Sequence, residues 1–383
     1  MKRSRPPRRS KASAETGMLS RLASGLALSG SRAEDAYWET RLAALIDDLL
    51  KAGEDEALDT ALDRLYETDL FAYDELAESI EARAESVRSE DDAILLVAIP
   101  LLVWSRAAIP AGPVAAGVLA DLRAQLHGHI LAKDARLALA DFLFSPDQLP
   151  RGYAKTFKLT NRFSEAARNG RDLHLESRRL PKSVDFLADA RYIMVGIAAT
   201  HGAPLFRWQE EHQTRDDALL QWKAQGTPCI APLLAGCAYE LLLPDAYYAA
   251  GRKAEREARP FSVRAAITLL ESGLHAMPEN IGVVIAPFYE ERLEEYRVAF
   301  VVAGNVVYGV IWPLLGAEDD NSDCVAEIQA VLRERGIAHA LVLDERLPLE
   351  YCEDCGAPLF ANPEGEPVHA EWPEDNAPGS HLH

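Results

Sequence analysis

Apolar side chains recur at helical spacing through the first quarter of the chain. Ser31 and Glu34 have the spacing of a capping box, in which a hydroxyl and a carboxylate satisfy free backbone donors, so we expect a helix to begin there. Gly53 ends its apolar pattern. Two further amphipathic helices are predicted, over Leu58–Leu65 and Tyr73–Ile80. These segments predict a helical domain of stacked hairpins.

The periodicity changes at Ala93, where a continuous apolar and β-branched run begins. Such a run is typical of a strand buried on both faces of a sheet. The pattern then predicts a helical segment over Val114–Leu126, a short strand at His129–Ala132 and an apolar segment at Leu137–Phe144.

This order of segments returns 98 residues later in the chain. Ile94–Ile99 aligns with Tyr192–Ile197, and at the same offset, without a gap, Ala140–Asp147 aligns with Ala238–Asp245. The repetition predicts an internal duplication of a strand-helix-strand unit, hence a sheet with crossover helices.

The rest of the chain alternates between helices and strands. The predicted elements are helices Asp245–Ala258 and Ser262–His275 on either side of Pro260, strand Ile281–Ala286, a hairpin of Tyr296–Val302 and Val306–Trp312, helix Ser322–Arg335 and strand Ala338–Leu343. The fold class is therefore α+β or α/β. A ferredoxin-like sandwich and a doubly wound sheet both fit this order.

These patterns divide the chain into six parts. They are a disordered basic arm (1–17), an acidic helical domain (18–92), a first α/β unit (93–190), a second α/β unit with the hairpin (191–350), a segment resembling a zinc knuckle (351–375) and a disordered tail (376–383).

The charge of the chain is unevenly distributed. The net charge is −20, which disfavours generic binding to nucleic acid because phosphates are repelled. From Glu34 to Asp92 there are 20 acidic and 5 basic residues, as on a solvated helix surface. The first eleven residues have six Lys or Arg and no acid. Such an arm could bind phosphate, although a solubilising tail is the more common role.

The sequence predicts a cytoplasmic protein without a membrane span. The apolar stretch Met18–Leu28 is broken by Arg21, unlike a secretory peptide. Ala93–Trp104 contains Pro100 and is shorter than the roughly 20 residues needed to cross a bilayer. The five cysteines are an odd number, and reduced thiols fit a reducing compartment.

The strongest chemical motif lies near the C-terminus. Cys352 and Cys355 are separated by two residues and followed by Gly356, the arrangement of a zinc knuckle, and His369 follows a predicted turn at Asn362–Gly365. We therefore expect a structural zinc ion bound by Cys352, Cys355 and His369. The fourth ligand stays open among Asp375, Glu371, His381, His339, Cys324 and a water molecule.

Two other interpretations of the cysteine pair remain. The thiols could lie unliganded in a surface turn, or the pair could be a redox centre, which requires a thiol of lowered pKa in positive surroundings. Glu353 and Asp354 lie between the thiols and no Lys or Arg follows Tyr351, so we predict a raised thiol pKa. That prediction disfavours the redox centre.

Three polar residues at predicted strand ends are candidates for ligand binding. Asp147 and Asp245 occupy equivalent places in the two units, each after a proline, and His201 follows a buried strand. Helix N-capping explains both aspartates more simply. The loop Trp312–Asp320 is a further candidate of the same kind. Phosphate-loop, serine-elbow and zinc-protease motifs are missing from the sequence.

Four segments resemble a family of betaproteobacterial proteins that contain a domain of unknown function. They are Ser29–Trp38, Phe144–Pro150, Gly309–Gly316 and Tyr351–Leu359. The resemblance spans nearly the whole chain and implies a bacterial, cytoplasmic protein. It implies no activity and no catalytic residue.

Two functional hypotheses follow. The first, which we prefer, is a non-enzymatic interaction or regulatory protein with a structural zinc site and a protein partner that contacts the acidic helices. The alternative is an enzyme or small-ligand binder with a cleft between the duplicated units. The sequence does not decide whether the protein is an enzyme, and it does not predict an oligomeric state.

Overall fold

The computed structural model describes residues 11–89, 91–106, 108–176, 178, 180–181, 188–210 and 213–373. Its helices are α1 (Lys11–Ala27), α2 (Arg32–Ala52), α3 (Asp55–Thr68), α4 (Leu70–Glu85), α5 (Ala116–His129), α6 (Tyr153–Arg168), α7 (Arg215–Ile230), α8 (Tyr247–Gly273) and α9 (Cys324–Glu334).

The strands form two larger sheets and a small hairpin. The first sheet has β1 (Ser86–Arg88), β2 (Asp92–Trp104), β3 (Gly112–Pro113), β4 (Arg136–Phe144), β5 (Ala188–Thr200), β6 (Ala238–Leu241) and β7 (Asp245–Ala246). The second has β8 (Gly282–Tyr289), β9 (Leu293–Val302), β10 (Asn305–Pro313), β11 (Leu341–Val342) and β12 (Leu347–Pro348). The hairpin is β13 (Phe360–Ala361) with β14 (Pro367–Val368).

Helices α1 to α4 form an N-terminal helical layer. The Ser31 hydroxyl accepts a hydrogen bond from the Glu34 amide, and Gly53 ends α2 with φ 79°, as the capping box and the glycine predicted. The apolar stripes of the four helices share one core. Helix α1 begins at Lys11, within the stretch expected to be a disordered arm. Thr16 is buried and its hydroxyl donates to the Ala57 carbonyl, which fixes this end of α1 against α3.

The first sheet has the topology of a ferredoxin-like α+β sandwich. Its central order is β6-β2-β5-β4, and each neighbouring pair is antiparallel. The parallel strands β2 and β4 are thus separated by β5, and β5 and β6 by β2, which defines two split strand-helix-strand units. Of the two predicted architectures, the structure has the ferredoxin-like sandwich and not the doubly wound sheet.

Strand β2 is buried on both faces, as its apolar run predicted. Val97 and Ile99 pack against α5 and α7, whereas Leu96 and Ala98 pack on the side of α6 and α8. The two central strands, β2 and β5, pair over all 13 positions of each strand. Helices therefore cover both faces of this sheet.

The order strand-helix-strand occurs twice in the first sheet, and the internal duplication stays a prediction. The alignment without a gap does not extend to strand pairing. Leu143 pairs with Ile193. At the offset of 98 residues, Leu143 corresponds to Leu241 and Ile193 corresponds to Leu95, so equivalent pairing would join Leu241 to Leu95. In the structure Leu241 pairs with Leu101, six residues further along β2. A second difference is at His129–Ala132, where a strand was predicted. His129 ends α5, since the helical hydrogen bonds continue to Ile130.

Helix α8 connects the two larger sheets. Two helices separated by Pro260 were predicted here, but α8 is continuous through this proline. Its first half buries Ala250 and Ala254 against the first sheet, and its second half buries Val263 and Ile267 against the second. Burial at both ends outweighs the lost backbone hydrogen bond, which costs about 3 kcal/mol.

The second sheet has the order β10-β9-β8-β11, with the predicted hairpin of β9 and β10 at one edge. Its two-residue turn, Ala303 and Gly304, has positive φ at both positions, as a type I′ turn requires. Helices α8 and α9 cover one face. The opposite face contacts Phe360 and Ala361 of the C-terminal hairpin. The cysteine motif therefore lies on the side of this sheet that α8 and α9 do not cover.

Candidate metal centre

A tight turn brings Cys352 and Cys355 together. The Cys352 amide donates to the Ala357 carbonyl over 2.7 Å, and the Gly356 amide donates to the Cys352 carbonyl over 2.8 Å. Gly356 has φ 73°, the left-handed conformation that the sequence predicted for it. Residues 352–356 therefore form one tight turn that contains both cysteines, and we call this turn the knuckle.

The β13–β14 hairpin returns the chain to this turn. The Asn362 side-chain oxygen accepts hydrogen bonds from the amides of Glu364 and Glu366, over 3.0 and 2.8 Å, and Gly365 has φ 86°. The predicted turn at Asn362–Gly365 is thus confirmed. His369 follows β14 directly and comes to lie beside the cysteines.

The three predicted ligands form one group. The Sγ atoms of Cys352 and Cys355 and a ring nitrogen of His369 all lie within 4.8 Å of one another, and Cys355 Sγ is 3.2 Å from His369 Nε2. Zinc-ligand bonds of about 2.0–2.3 Å in a tetrahedron place neighbouring ligand atoms roughly 3.5–3.8 Å apart. The group could therefore hold a metal ion after small side-chain shifts. In the described part of the chain, no other group of three or more His, Cys, Asp or Glu meets this distance criterion.

The pKa of Cys352 is lowered, in contrast to the raised thiol pKa that the acidic sequence predicted. Hydrogen bonds from the backbone amides of Cys355 and Asp354 favour the Cys352 thiolate, and they outweigh the Asp354 carboxylate, whose charge acts in the opposite direction. Neighbouring carboxylates alone would raise the thiol pKa, and the amide donors reverse this effect. A thiolate is the form that binds zinc.

Arg297 anchors the segment that contains the cysteines. Its side chain is fully buried in β9, and its Nη1 donates to the carbonyls of Glu350 and Leu359 over 2.7 and 2.6 Å. Its Nε donates to Glu295 over 2.6 Å. These two carbonyls lie on either side of the knuckle, so one guanidinium fixes both ends of it.

Arg297 was not found by the sequence reasoning. It lies 55 residues before Cys352, inside a strand predicted only as half of a hairpin. The available signal was an arginine between Tyr296 and Val298 in an otherwise apolar strand, because a buried arginine must find several acceptors.

Two close contacts hold the hairpin against the rest of the protein. The Phe360 ring packs over Gly309 of β10, where a Cβ atom would lie 2.2 Å from the ring. The Trp372 ring packs over Gly273 at the end of α8, where a Cβ atom would lie 2.8 Å from it. Glycine is required at Gly309 because a side chain there would displace Phe360.

The fourth ligand lies outside the group that the structure brings together. Cys324 is buried in the core between α9 and the second sheet, with its Sγ 3.7 Å from Glu318. Neither His339 nor Glu371 belongs to the group of three. Two further candidates from the sequence, Asp375 and His381, lie outside the described residues.

The structure does not bring Asp147, His201 and Asp245 together. Asp147 lies beyond the end of β4 that pairs with the start of β5, and it pairs with Arg151 at 3.2 Å. His201 follows the opposite end of β5, which has 13 residues and so spans about 40 Å. Asp245 pairs with Ala98 near the middle of β2. Neither aspartate is an N-cap, since α8 starts after Ala246 and Ser145 precedes the turn that contains Asp147.

The fold and this site define an α+β protein with a candidate metal centre of two cysteines and one histidine. None of the described helices is both long and apolar enough to cross a membrane.

The chain belongs to the family described as Protein of unknown function (DUF2863), whose family model matches residues 4–383. The expected membership of an uncharacterised family is therefore confirmed, and the betaproteobacterial origin stays a prediction. No curated protein and no solved structure matches the chain.

Proposed function

We propose that this protein is a non-enzymatic interaction protein of the cytoplasm whose C-terminal segment is stabilised by a structural zinc ion. The observation that supports the zinc ion is the convergence of Cys352, Cys355 and His369 at one tight turn, since two thiolates and an imidazole are ligands that zinc prefers. Zinc would take the place of a larger hydrophobic core in the short segment after Tyr351.

The acidic helices support the proposed interaction with a protein partner. Burial and the carboxylates of Glu78, Glu39, Asp35 and Asp74 all raise the pKa of Glu75, so α2 and α4 together present closely spaced like charges. This acidic surface is electrostatically suited to a partner with a basic surface.

The interaction is tested by affinity capture with the full chain as bait. A triple variant, Glu39→Gln, Glu75→Gln and Glu78→Gln, removes three charges from two exposed positions and the half-buried Glu75, and it should retain the fold. We expect a reproducible partner that the wild-type chain retains and the variant loses. Capture that is equal for both chains would contradict the acidic surface as the contact, and the lack of any reproducible partner would contradict the interaction role.

The structure offers little support for the alternative of a cleft between the duplicated units. The two units share one sheet, in which β2 and β5 pair along their full length. A cleft of about 430 Å³ does lie between His129 of the first unit and Arg207 and Asp217 of the second. None of the three candidates Asp147, His201 and Asp245 lines it.

A further inference from the structure

A cleft lies between the helical layer and the second sheet. Tyr66 and Leu70, at the corner between α3 and α4, form one wall. Residues Arg292–Glu294 at the start of β9 and residues 314–320 after β10 form the rest, around a volume of about 330 Å³. This volume is at the lower end of the range for binding pockets in proteins. The loop Trp312–Asp320, noted in the sequence as a candidate, thus contributes to it.

The corner between α3 and α4 exposes two large apolar side chains, Tyr66 and Leu70, in this cleft, and Phe71 follows Leu70 directly in the chain. Tyr66 is 49% exposed, Leu70 is 58% exposed and the adjacent Phe71 is 80% exposed. Tyr66 packs edge to face on Tyr73, with ring centroids 5.5 Å apart, so the Tyr73 ring stabilises the orientation of the Tyr66 ring. Adjacent exposed apolar residues of this kind commonly mark a binding surface.

The rim of the cleft is acidic. Glu294, Asp319 and Asp320 line it together with one cation, Arg292, which pairs with Glu294 at 3.2 Å and hydrogen-bonds to Tyr66. Asp320 has a long contact of 3.6 Å with Arg346.

Asp319 has a carboxylate that stays ionised. Its oxygens accept hydrogen bonds from the amide and side chain of Asn321, which lower the pKa of Asp319. Asp63, Glu67 and Asp69 adjoin Tyr66 and Leu70 in the sequence and add further negative charge. A basic segment that also has apolar residues would complement this surface.

The chain itself contains such a segment in residues 1–10, MKRSRPPRRS, which lie outside the described part of the structure. They have five Lys or Arg, no acid, and two adjacent prolines, and aromatic-lined grooves commonly bind proline-containing peptides.

The segment is long enough to reach the cleft within one molecule. It ends where α1 begins, and α1 is fixed to α3 by the Thr16 hydrogen bond to Ala57. The path from Lys11 to the cleft follows α1 to Thr16, crosses to Ala57 of α3 and follows α3 to Tyr66. With about 1.5 Å of rise per helical residue and about 10 Å between the two helix axes, Lys11 lies within about 30 Å of the cleft. Ten residues span up to roughly 33 Å.

We propose that residues 1–10 bind in this cleft within the same molecule, with their arginines at Glu294, Asp319 and Asp320 and their prolines against Tyr66, Leu70 and Phe71. A basic segment of another protein that binds the same surface would compete with residues 1–10. This proposal is independent of the metal centre.

Limited trypsin digestion of the full chain tests the binding, with intact mass measuring the loss of residues 1–9. We expect Leu70→Asp to accelerate cleavage at Arg8 and Arg9 by at least about fivefold. The reason is that residues 1–10 are protected from trypsin while they are bound in the cleft, and the variant weakens this binding. About 0.5 M salt should accelerate wild-type cleavage as well. Leu220→Asp, at a 67% exposed position on α7, is the matched control and should cleave at the wild-type rate.

Three results would overturn the proposal. They are equal cleavage rates for wild type and Leu70→Asp, equal acceleration by the Leu220→Asp control, and protection that increases with protein concentration, which would indicate binding between two molecules. Should Leu70→Asp lower the melting temperature, Phe71→Asp replaces it, because that side chain is 80% exposed and contributes little to the core.

Discussion

Arg297 shows how a single side chain couples the candidate metal centre to the sheet below it. Its guanidinium donates to two carbonyls on either side of the knuckle and to Glu295, and it stacks on Phe288 with 4.2 Å to the ring centroid. Without it, the Leu359 carbonyl and the buried Glu295 carboxylate would each lose this donor, and the Glu350 carbonyl would keep the 3.3 Å hydrogen bond from the Leu359 amide. Arg297 therefore determines the position of Cys352 through the backbone.

Replacing Arg297 with Met should destabilise the protein strongly. Breaking a buried ion pair costs about 3–5 kcal/mol, and we expect the free energy of unfolding in urea to fall by about that amount. Arg346→Met is the control, because that side chain is 73% exposed and its 3.6 Å pair with Asp320 is worth about 1 kcal/mol at most. Similar losses for the two variants would contradict the role given to Arg297.

Glu85 should make stability depend on pH. It lies at the end of α4, accepts a hydrogen bond from the Tyr248 amide over 3.0 Å, and burial raises its pKa to about 7. The folded protein thus keeps a proton that the unfolded chain releases near pH 4.5, so the stability associated with this proton is complete below pH 4.5 and is lost as pH rises through 7.

Glu85→Gln mimics the protonated form and isolates this effect. We expect the variant and the wild type to have similar free energies of unfolding near pH 4.5, and the variant to be more stable by about 2–3 kcal/mol at pH 8. Urea unfolding across this range measures the difference, in which other titrating groups cancel. Parallel pH profiles for the two proteins would show that Glu85 titrates normally.

At the scale of elements, local patterns predicted most helices and strands correctly, whereas long-range packing determined one of the exceptions. The capping residues of α2 and the β9–β10 hairpin follow from sequence neighbours alone. The continuity of α8 through Pro260 does not, because it depends on two sheets that are distant in sequence. The end of α5 at His129 is a local exception, because the hydrogen bond from the Ile130 amide to the Leu126 carbonyl outweighs the β propensity of Ile130.

The contact between β10 and the C-terminal hairpin should be sensitive to one methyl group. Gly309→Ala places a Cβ atom against the Phe360 ring, so the hairpin must move, and we expect a loss of about 2 kcal/mol in the free energy of unfolding. Gly251→Ala in α8 is the control, since no heavy atom lies within 4 Å of its Cβ position. There alanine should stabilise the helix by about 0.5–1 kcal/mol. Effects of the same sign would contradict this packing.

At the scale of the whole molecule, the helical layer is joined firmly to the ferredoxin-like sheet. Asp55 accepts a hydrogen bond from the Ala154 amide at the start of α6, and Thr160 of α6 donates to the Ala84 carbonyl of α4. Arg252 of α8 pairs with Glu81 at 2.6 Å. Helices α3 and α4 therefore pack on the body through several polar contacts, which the sequence pattern could not show.

The sequence predicted the residues of the candidate site more completely than it predicted the order of strands in the sheets. Cys352, Cys355 and His369 lie within 18 residues and are brought together by two local turns, so their spacing was informative. The ferredoxin-like order depends on pairing between strands about 100 residues apart, and periodicity contains no information on which strands are neighbours. The scattered positions of Asp147, His201 and Asp245 follow from that same pairing.

The zinc content of the purified full chain tests the central claim most directly. Elemental analysis should find about one zinc ion per wild-type chain and per Cys324→Ser chain, because Cys324 lies outside the group of three. Cys352→Ser should lose most of the zinc, because one of the three ligands that the protein supplies is removed. A wild-type chain without stoichiometric zinc, after growth with zinc and purification without chelator, would contradict the account.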